Sequence, residues 1–100
     1  MVQTQAEILD FLYKHKDLLR EKYAVKKIAL FGSFARNEQK EESDIDLLIE
    51  LDKSVVNIYE LKEDLRHYLS LSFGRSVDLA REKYLKSYAK EAILKDLLYV

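Results

Sequence analysis

The chain has 100 residues, enough for one domain with a hydrophobic core but too few for a second substrate-binding lobe, so we expect residues 1–100 to form a single domain. Its 48% hydrophobic and 35% charged residues are typical of a soluble globular protein, and a formal net charge of -1 predicts no direct nucleic-acid binding. The absence of cysteine excludes a disulfide scaffold and a thiolate metal site. Because the chain also shows no signal peptide and no membrane-length apolar run, we predict a cytoplasmic protein with no membrane association.

The first predicted elements are a helix and a strand. Thr4 and Glu7 have the spacing of a capping box, and apolar residues then recur at helical spacing, which predicts one amphipathic helix over residues 5 to about 23. The stretch "VKKIALFG" follows, and its residues 28–31 are apolar at every position. This pattern indicates a strand that is buried on both faces and ends at Gly32.

The next predicted strand, "DIDLLIEL", carries two carboxylates at its start. Its apolar residues alternate onto one face, whereas Asp44 and Asp46 begin the other face. At the rise of a strand, these two aspartates lie about 7 Å apart on the same side. Aspartate is a poor strand former, so its placement here indicates a role other than local stability.

The second half of the chain predicts a helix, a strand and another helix. Asn57 gives an N-cap signal and Gly74 suits a helix C-terminus, while "RSVDLA" alternates and places Asp78 on a polar face. A last helical stretch covers about residues 82–97 with a break near Ser87, and the closing "LYV" favours a short strand. The order of elements therefore predicts a sheet of three or four strands with helices packed on it.

Asp44, Asp46 and Asp78 are the candidate catalytic and metal-binding residues. If their two strands are neighbours, three carboxylates converge on a small patch, where they repel one another and must protonate or bind a cation. Oxygen ligands without cysteine or paired histidine favour Mg²⁺ or Mn²⁺ over zinc. Pairs of such ions held by carboxylates drive phosphoryl and nucleotidyl transfer. The alternative is that these aspartates only cap strand ends at the surface.

Gly32 and Ser33, in "FGSFAR", are candidate phosphate-binding residues. We expect Ser33 to open a short helix, so that backbone N–H groups and a hydroxyl lie at a positive helix end. Glycine at position 32 leaves room for a phosphate to approach the backbone.

Gly32-Ser33, ten residues and then Asp44-x-Asp46 form a pattern that resembles the nucleotidyltransferase superfamily typified by DNA polymerase beta. "GSFAR", "SDIDLLIE", "SVDLA" and the chain length resemble more closely the minimal nucleotidyltransferase (MNT) proteins, which are encoded beside a HEPN-domain partner. The resemblance spans roughly residues 25 to 80. It implies an α+β fold in which a small mixed sheet is flanked by helices.

The resemblance also implies a role for each candidate residue. Asp44 and Asp46 would hold two Mg²⁺ ions, or Mn²⁺, with one ion on the phosphates of the substrate ATP and one activating the nucleophile. Asp78 would complete the second metal site and help to deprotonate the attacking hydroxyl. Gly32 and Ser33 would bind the β- and γ-phosphates.

Other residues near the motif have open or altered roles. Arg36 either contacts a phosphate, braces the loop or forms a surface ion pair, and Ser43 either joins the nucleotide site or only shapes the turn. Asn37 replaces the glycine usual in the family, and because asparagine tolerates a positive φ, we expect the loop to keep its geometry. Glu41 and Glu42 add negative charge that would weaken triphosphate binding.

The predicted function is transfer of AMP from ATP to a hydroxyl, by resemblance a tyrosine, of a cognate HEPN toxin, which makes the chain an antitoxin. The chain's size favours a protein acceptor, because polymerases and tRNA-modifying relatives need further domains to hold their substrates. One alternative is a catalytically weak or inactive antitoxin that neutralises the HEPN ribonuclease by binding and occlusion. Another is transfer to a small molecule, as in aminoglycoside-modifying relatives.

Overall fold

The structure, a computed structural model, describes residues 4–100, so residues 1–3 of the predicted single domain lie outside it. The described chain contains four α-helices and four strands. In order they are α1 Gln5–Lys14, α2 Lys16–Tyr23, β1 Val25–Phe31, β2 Ile45–Leu51, α3 Ile58–Phe73, β3 Val77–Ala80, α4 Ser87–Lys95 and β4 Leu98–Tyr99, with a 3₁₀ turn at Glu82–Tyr84 before α4.

The four strands form one mixed sheet in the order β3-β2-β1-β4. β1 is antiparallel to both β2 and β4, whereas β2 and β3 are parallel and are joined by α3. A parallel pair requires such a crossover connection, since the chain must return to the same end of the sheet. The predicted α+β fold is confirmed, and the sheet has four strands.

The hydrophobic core lies on one face of this sheet. It includes the apolar residues that alternate along β2, as predicted, together with residues from α1, α2, α3, β1 and β3. The fully buried members of this core are Ile8, Leu12, Leu30, Phe34, Ile45, Leu47, Leu65, Leu69 and Phe73. The polar alternation of β2 and β3 therefore faces the other side of the sheet.

The prediction of one helix over residues 5–23 is wrong, because the helix is interrupted at His15. This residue has φ -107° and ψ 15°, and its Nδ1 lies 2.8 Å from the carbonyl oxygen of Phe11. The imidazole competes for a helical carbonyl and stacks on the Phe11 ring, with centroids 3.9 Å apart. The predicted cap is confirmed, since the Thr4 hydroxyl accepts a hydrogen bond from the Glu7 amide at 3.1 Å.

The remaining boundaries follow the predicted signals. Asn57 precedes α3 without a side-chain cap hydrogen bond, and Gly74 ends α3 with a φ of 66°. The break near Ser87 is confirmed, because α4 begins there after the 3₁₀ turn, and the short C-terminal strand is β4. Within residues 4–100, no helix combines the length and the hydropathy needed to span a bilayer.

Candidate active site

A turn, and not the predicted short helix, follows β1. The amide of Arg36 donates to the carbonyl of Gly32 at 3.2 Å, and the amide of Glu38 donates to that of Ser33 at 2.9 Å. Asn37 has a φ of 57°, which ends the helical geometry after one turn. The prediction of a helix at Ser33 is therefore wrong, whereas Asn37 does adopt the positive φ that asparagine tolerates.

Gly32 lies directly against the carboxyl group of Asp46. Its φ is +77°, and a Cβ built on it would overlap Asp46 Oδ2 and lie 3.0 Å from Asp46 Cγ. The preceding residue, Phe31, pairs with Asp46 across β1 and β2. Glycine is thus required by the neighbouring carboxylate as well as by the backbone conformation, a reason that the sequence interpretation did not contain.

The three candidate aspartates come together where β2 and β3 begin. Asp46 and Asp78 are partners in the parallel register of these strands, so they lie side by side on one face. Asp44 precedes β2, and its exposed side chain is close enough to affect the charge of Asp46. The condition on which their convergence depended, that the two strands are neighbours, is therefore met.

Asp46 is half-buried and has two further carboxylates, Asp44 and Asp78, near it. Burial, and then the charges of Asp78 and Asp44, raise the pKa of Asp46 from the ordinary 3.8 to about 6. The guanidinium of Arg36 acts in the opposite direction and lowers this pKa. The carboxylates therefore repel one another, and a bound cation would relieve the repulsion.

The donor set fits a hard divalent cation without forming a closed cage. Among residues 4–100, no three His, Cys, Asp or Glu side chains stand close enough to enclose a metal ion. Mg²⁺ commonly keeps several waters and binds through one or two carboxylates together with substrate phosphates. An open patch of Asp44, Asp46 and Asp78, with the turn that starts at Gly32 beside it, suits that mode of binding.

Arg36 and Ser43 both have protein partners. Arg36 Nε donates to Glu38 Oε1 at 2.8 Å and its Nη1 to Asp96 Oδ2 at 3.1 Å, so the side chain braces the turn and forms ion pairs. The Ser43 hydroxyl accepts a hydrogen bond from the Lys40 amide at 2.8 Å and shapes the turn before β2. A phosphate contact by either residue stays a prediction.

Two residues that sequence analysis missed support the segment between β1 and β2. Gln5 Nε2 on α1 donates to the carbonyl oxygens of Ala35 at 2.8 Å and Phe34 at 3.2 Å. Arg75, just before β3, donates to two further carbonyls of the same segment. Their partners are backbone atoms about thirty positions away in sequence, so no local motif signals these contacts.

The sequence pattern of the family described as the nucleotidyltransferase domain matches residues 12–100. The chain therefore belongs to the nucleotidyltransferase domain family. One relative, from Methanocaldococcus jannaschii and provisionally named a protein adenylyltransferase, is 45% identical over 100 residues that cover 99% of this chain and 100% of that one. The protein adenylyltransferase MntA of Thermococcus cleftensis is 38% identical over 99 residues, covering 97% and 96% of the two chains.

Solved structures share the fold. A chain described as a minimal nucleotidyltransferase superposes with a TM-score of 0.78 at 23% identity, covering 96% of this chain and 95% of that one. An MNT antitoxin complexed with the tri-AMPylated HEPN toxin of Shewanella oneidensis is also similar. That match has a TM-score of 0.56 at 19% identity and covers 95% of this chain and 66% of that one. The predicted family, fold and enzyme class are thus confirmed: the chain is a nucleotidyltransferase.

Proposed function

We propose that this nucleotidyltransferase transfers AMP from ATP to a tyrosine hydroxyl of a HEPN-domain toxin and thereby acts as its cytoplasmic antitoxin. The observation that carries the proposal is the in-register pair of Asp46 and Asp78 beside the turn that starts at Gly32. The names of the curated relatives support a protein acceptor. The AMPylated toxin in the Shewanella complex supports a HEPN partner.

Each candidate residue has a role in this reaction. Gly32 and Ser33 bind the β- and γ-phosphates, while Asp44 and Asp46 would hold two Mg²⁺ ions, or Mn²⁺. Asp78 would contribute to the second metal site and accepts the proton of the attacking hydroxyl. Bound there, such ions would neutralise charge on the triphosphate and make the acceptor hydroxyl more acidic.

The transfer breaks one phosphoanhydride bond of ATP and forms one phosphoester bond to the acceptor tyrosine. The tyrosine oxygen forms a bond to the α-phosphorus, the bond from that phosphorus to the bridging oxygen breaks, and pyrophosphate leaves. The proton of the tyrosine passes to Asp78. Because Asp44 and Asp78 are exposed, a hydroxyl from another protein has access to the site.

The test uses the chain together with the HEPN-domain protein encoded beside it. With Mg²⁺ present, we expect the partner to gain label from ATP labelled at the α-phosphate and none from ATP labelled at the γ-phosphate. Asp46→Asn and Asp78→Asn should each lower the transfer rate by at least about 100-fold, because they remove groups that act at the reacting phosphate. Asp52→Asn is the matched control, since Asp52 lies just beyond the opposite end of β2 and should be dispensable.

Two outcomes would contradict the proposal. A wild-type chain that leaves the partner unlabelled in Mg²⁺ is not an adenylyltransferase for that partner. A chain with both Asp44→Ala and Asp46→Ala that still protects cells fully from the toxin neutralises it by occlusion, which is the alternative function.

A further inference from the structure

Arg75 holds the segment that leads into Asp44. Its Nη1 donates hydrogen bonds to the carbonyl oxygens of Glu41 at 2.7 Å and Ser43 at 2.8 Å. Asp44 follows Ser43 directly and lies outside β2, so the hydrogen-bonded ladder of the sheet does not include it. Its position therefore depends on the segment that Arg75 holds.

The guanidinium of Arg75 also contacts the turn that follows β1. Arg75 Cζ lies 5.2 Å from the centroid of the Phe34 ring, which is fully buried and follows Ser33 directly. The Phe34 carbonyl is held in turn by Gln5. Phe34 is therefore a fixed surface, and Arg75 links it to the segment on the other side of the site.

The contacts of the guanidinium head determine where Arg75 lies. Its Nε is buried and has no hydrogen-bond partner among residues 4–100. An unpaired buried donor is unfavourable, so the side chain keeps this conformation because of the two carbonyls and the aromatic ring. The planar, charged guanidinium suits both contacts, since it can donate hydrogen bonds to carbonyl oxygens while it lies over an aromatic ring.

We propose that Arg75 is a positioning residue that fixes Asp44 relative to the turn of Gly32 and Ser33. The inference rests on the proposed function. In that function the cations bind at Asp44 and the triphosphate binds at the turn of Gly32 and Ser33, so the distance between Asp44 and this turn must match the bound nucleotide. Asp46 and Asp78 are held by the sheet itself. Arg75 gives the third carboxylate a comparable restraint.

Arg75→Lys tests this role, because lysine keeps the charge and loses the fork and the flat face. We expect an unchanged far-UV circular dichroism spectrum and hydrogen exchange about 10-fold faster at the Ser43 amide, which bonds the Lys40 carbonyl. The dissociation constant for Mn²⁺ with the ATP analogue AMP-PNP should rise about 10-fold, and kcat for AMP transfer should fall about 10- to 100-fold. Arg20→Lys, on the exposed surface of α2, is the matched control and should change none of these quantities.

The two non-catalytic readouts separate this inference from the proposed function. Wild-type exchange at Ser43 and wild-type AMP-PNP affinity in Arg75→Lys would overturn the positioning role. Faster exchange with weaker binding supports it even if the wild type transfers no AMP, a result that would count against the proposed reaction instead. If Arg75→Lys does not fold, Arg75→Gln, which keeps one amide donor, is judged by the same two readouts.

Discussion

Asp46 and Gly32 constrain each other in the folded chain. The carboxyl group occupies the space that any side chain at position 32 would need, and Gly32 also has a positive φ. The same carboxyl group is half-buried beside two other carboxylates. We therefore expect Asp46 to combine a role in the proposed reaction with a cost to the stability of the metal-free fold.

The pH dependence of stability should show this cost. Burial and neighbouring charges raise the pKa of Asp46 from 3.8 to about 6, so between these values the folded state binds more protons than the unfolded state. The stabilisation that this proton provides is fully present below about pH 4 and is lost as the pH rises through about 6. In metal-free buffer at pH 7, we expect Asp46→Asn to be more stable than the wild type by about 1–2 kcal/mol after allowance for solvent screening.

Urea unfolding in EDTA at pH 4, 5, 6 and 7 measures this difference, which should vanish near pH 4. Asp52→Asn should behave in the opposite sense, because hydrogen bonds from the Ser54 amide and hydroxyl lower the pKa of Asp52. Stabilisation by the Asp52 carboxylate is present at neutral pH and is lost as the pH falls. An Asp46→Asn variant that is less stable than the wild type at pH 7 would show that the carboxylates do not repel one another.

The link between Arg36 and Asp96 connects the turn after β1 to the end of α4. The pair is largely solvent-exposed, so neither partner should contribute much to stability. Arg36 also has an electrostatic effect, because its positive charge lowers the pKa of Asp46. The ion pair thus places the C-terminal end of α4 beside the turn that carries this positive charge.

Arg36→Gln should raise the pKa of Asp46, whereas Asp96→Asn should leave it nearly unchanged because the guanidinium stays in place. Carboxyl ¹³C NMR titration of the metal-free protein measures the pKa directly. Equal upward shifts in both variants would mean that Arg36 acts on Asp46 only while Asp96 holds its guanidinium in place.

Sequence patterns predicted the elements better than the contacts between them. The alternation along β2 and the glycine after α3 have local causes, so the strand, its polar face and the helix end were predictable. The interruption at His15 and the turn at Ser33 depend on a particular side chain or φ that periodicity does not contain. The contacts of Arg75 depend on backbone carbonyls that the fold brings together, so the sequence gives no sign of them.

At the scale of the whole molecule, binding of the proposed nucleotide and cations should add to the stability of the folded chain. A ligand that binds only the folded state stabilises it by mass action, by about 2.7 kcal/mol at 100 times the dissociation constant. We expect Mg²⁺ with AMP-PNP to raise the melting temperature of the wild type. Calorimetry or fluorescence-detected melting measures the shift.

The shift should disappear in Asp44→Asn and in Asp46→Asn, because each variant loses a carboxylate assigned to the cations. Asp52→Asn should keep it, which controls for the general effect of removing one negative charge. An undiminished shift in Asp46→Asn would mean that the nucleotide binds elsewhere on the chain.

Asp46 and Asp78 lie side by side on paired strands. Because two neighbouring carboxylates repel each other, we expect heat resistance to favour a neutral residue at one of these positions, whereas the proposed AMP transfer requires both aspartates. A library of variants screened only for survival at high temperature would enrich chains in which one of these aspartates is neutral. The most heat-resistant isolate would then be a well-folded protein that no longer performs its reaction. Screening with Mg²⁺ and a nucleotide present would remove this bias. Under those conditions, the carboxylates that destabilise the ligand-free protein would stabilise it by binding the cations.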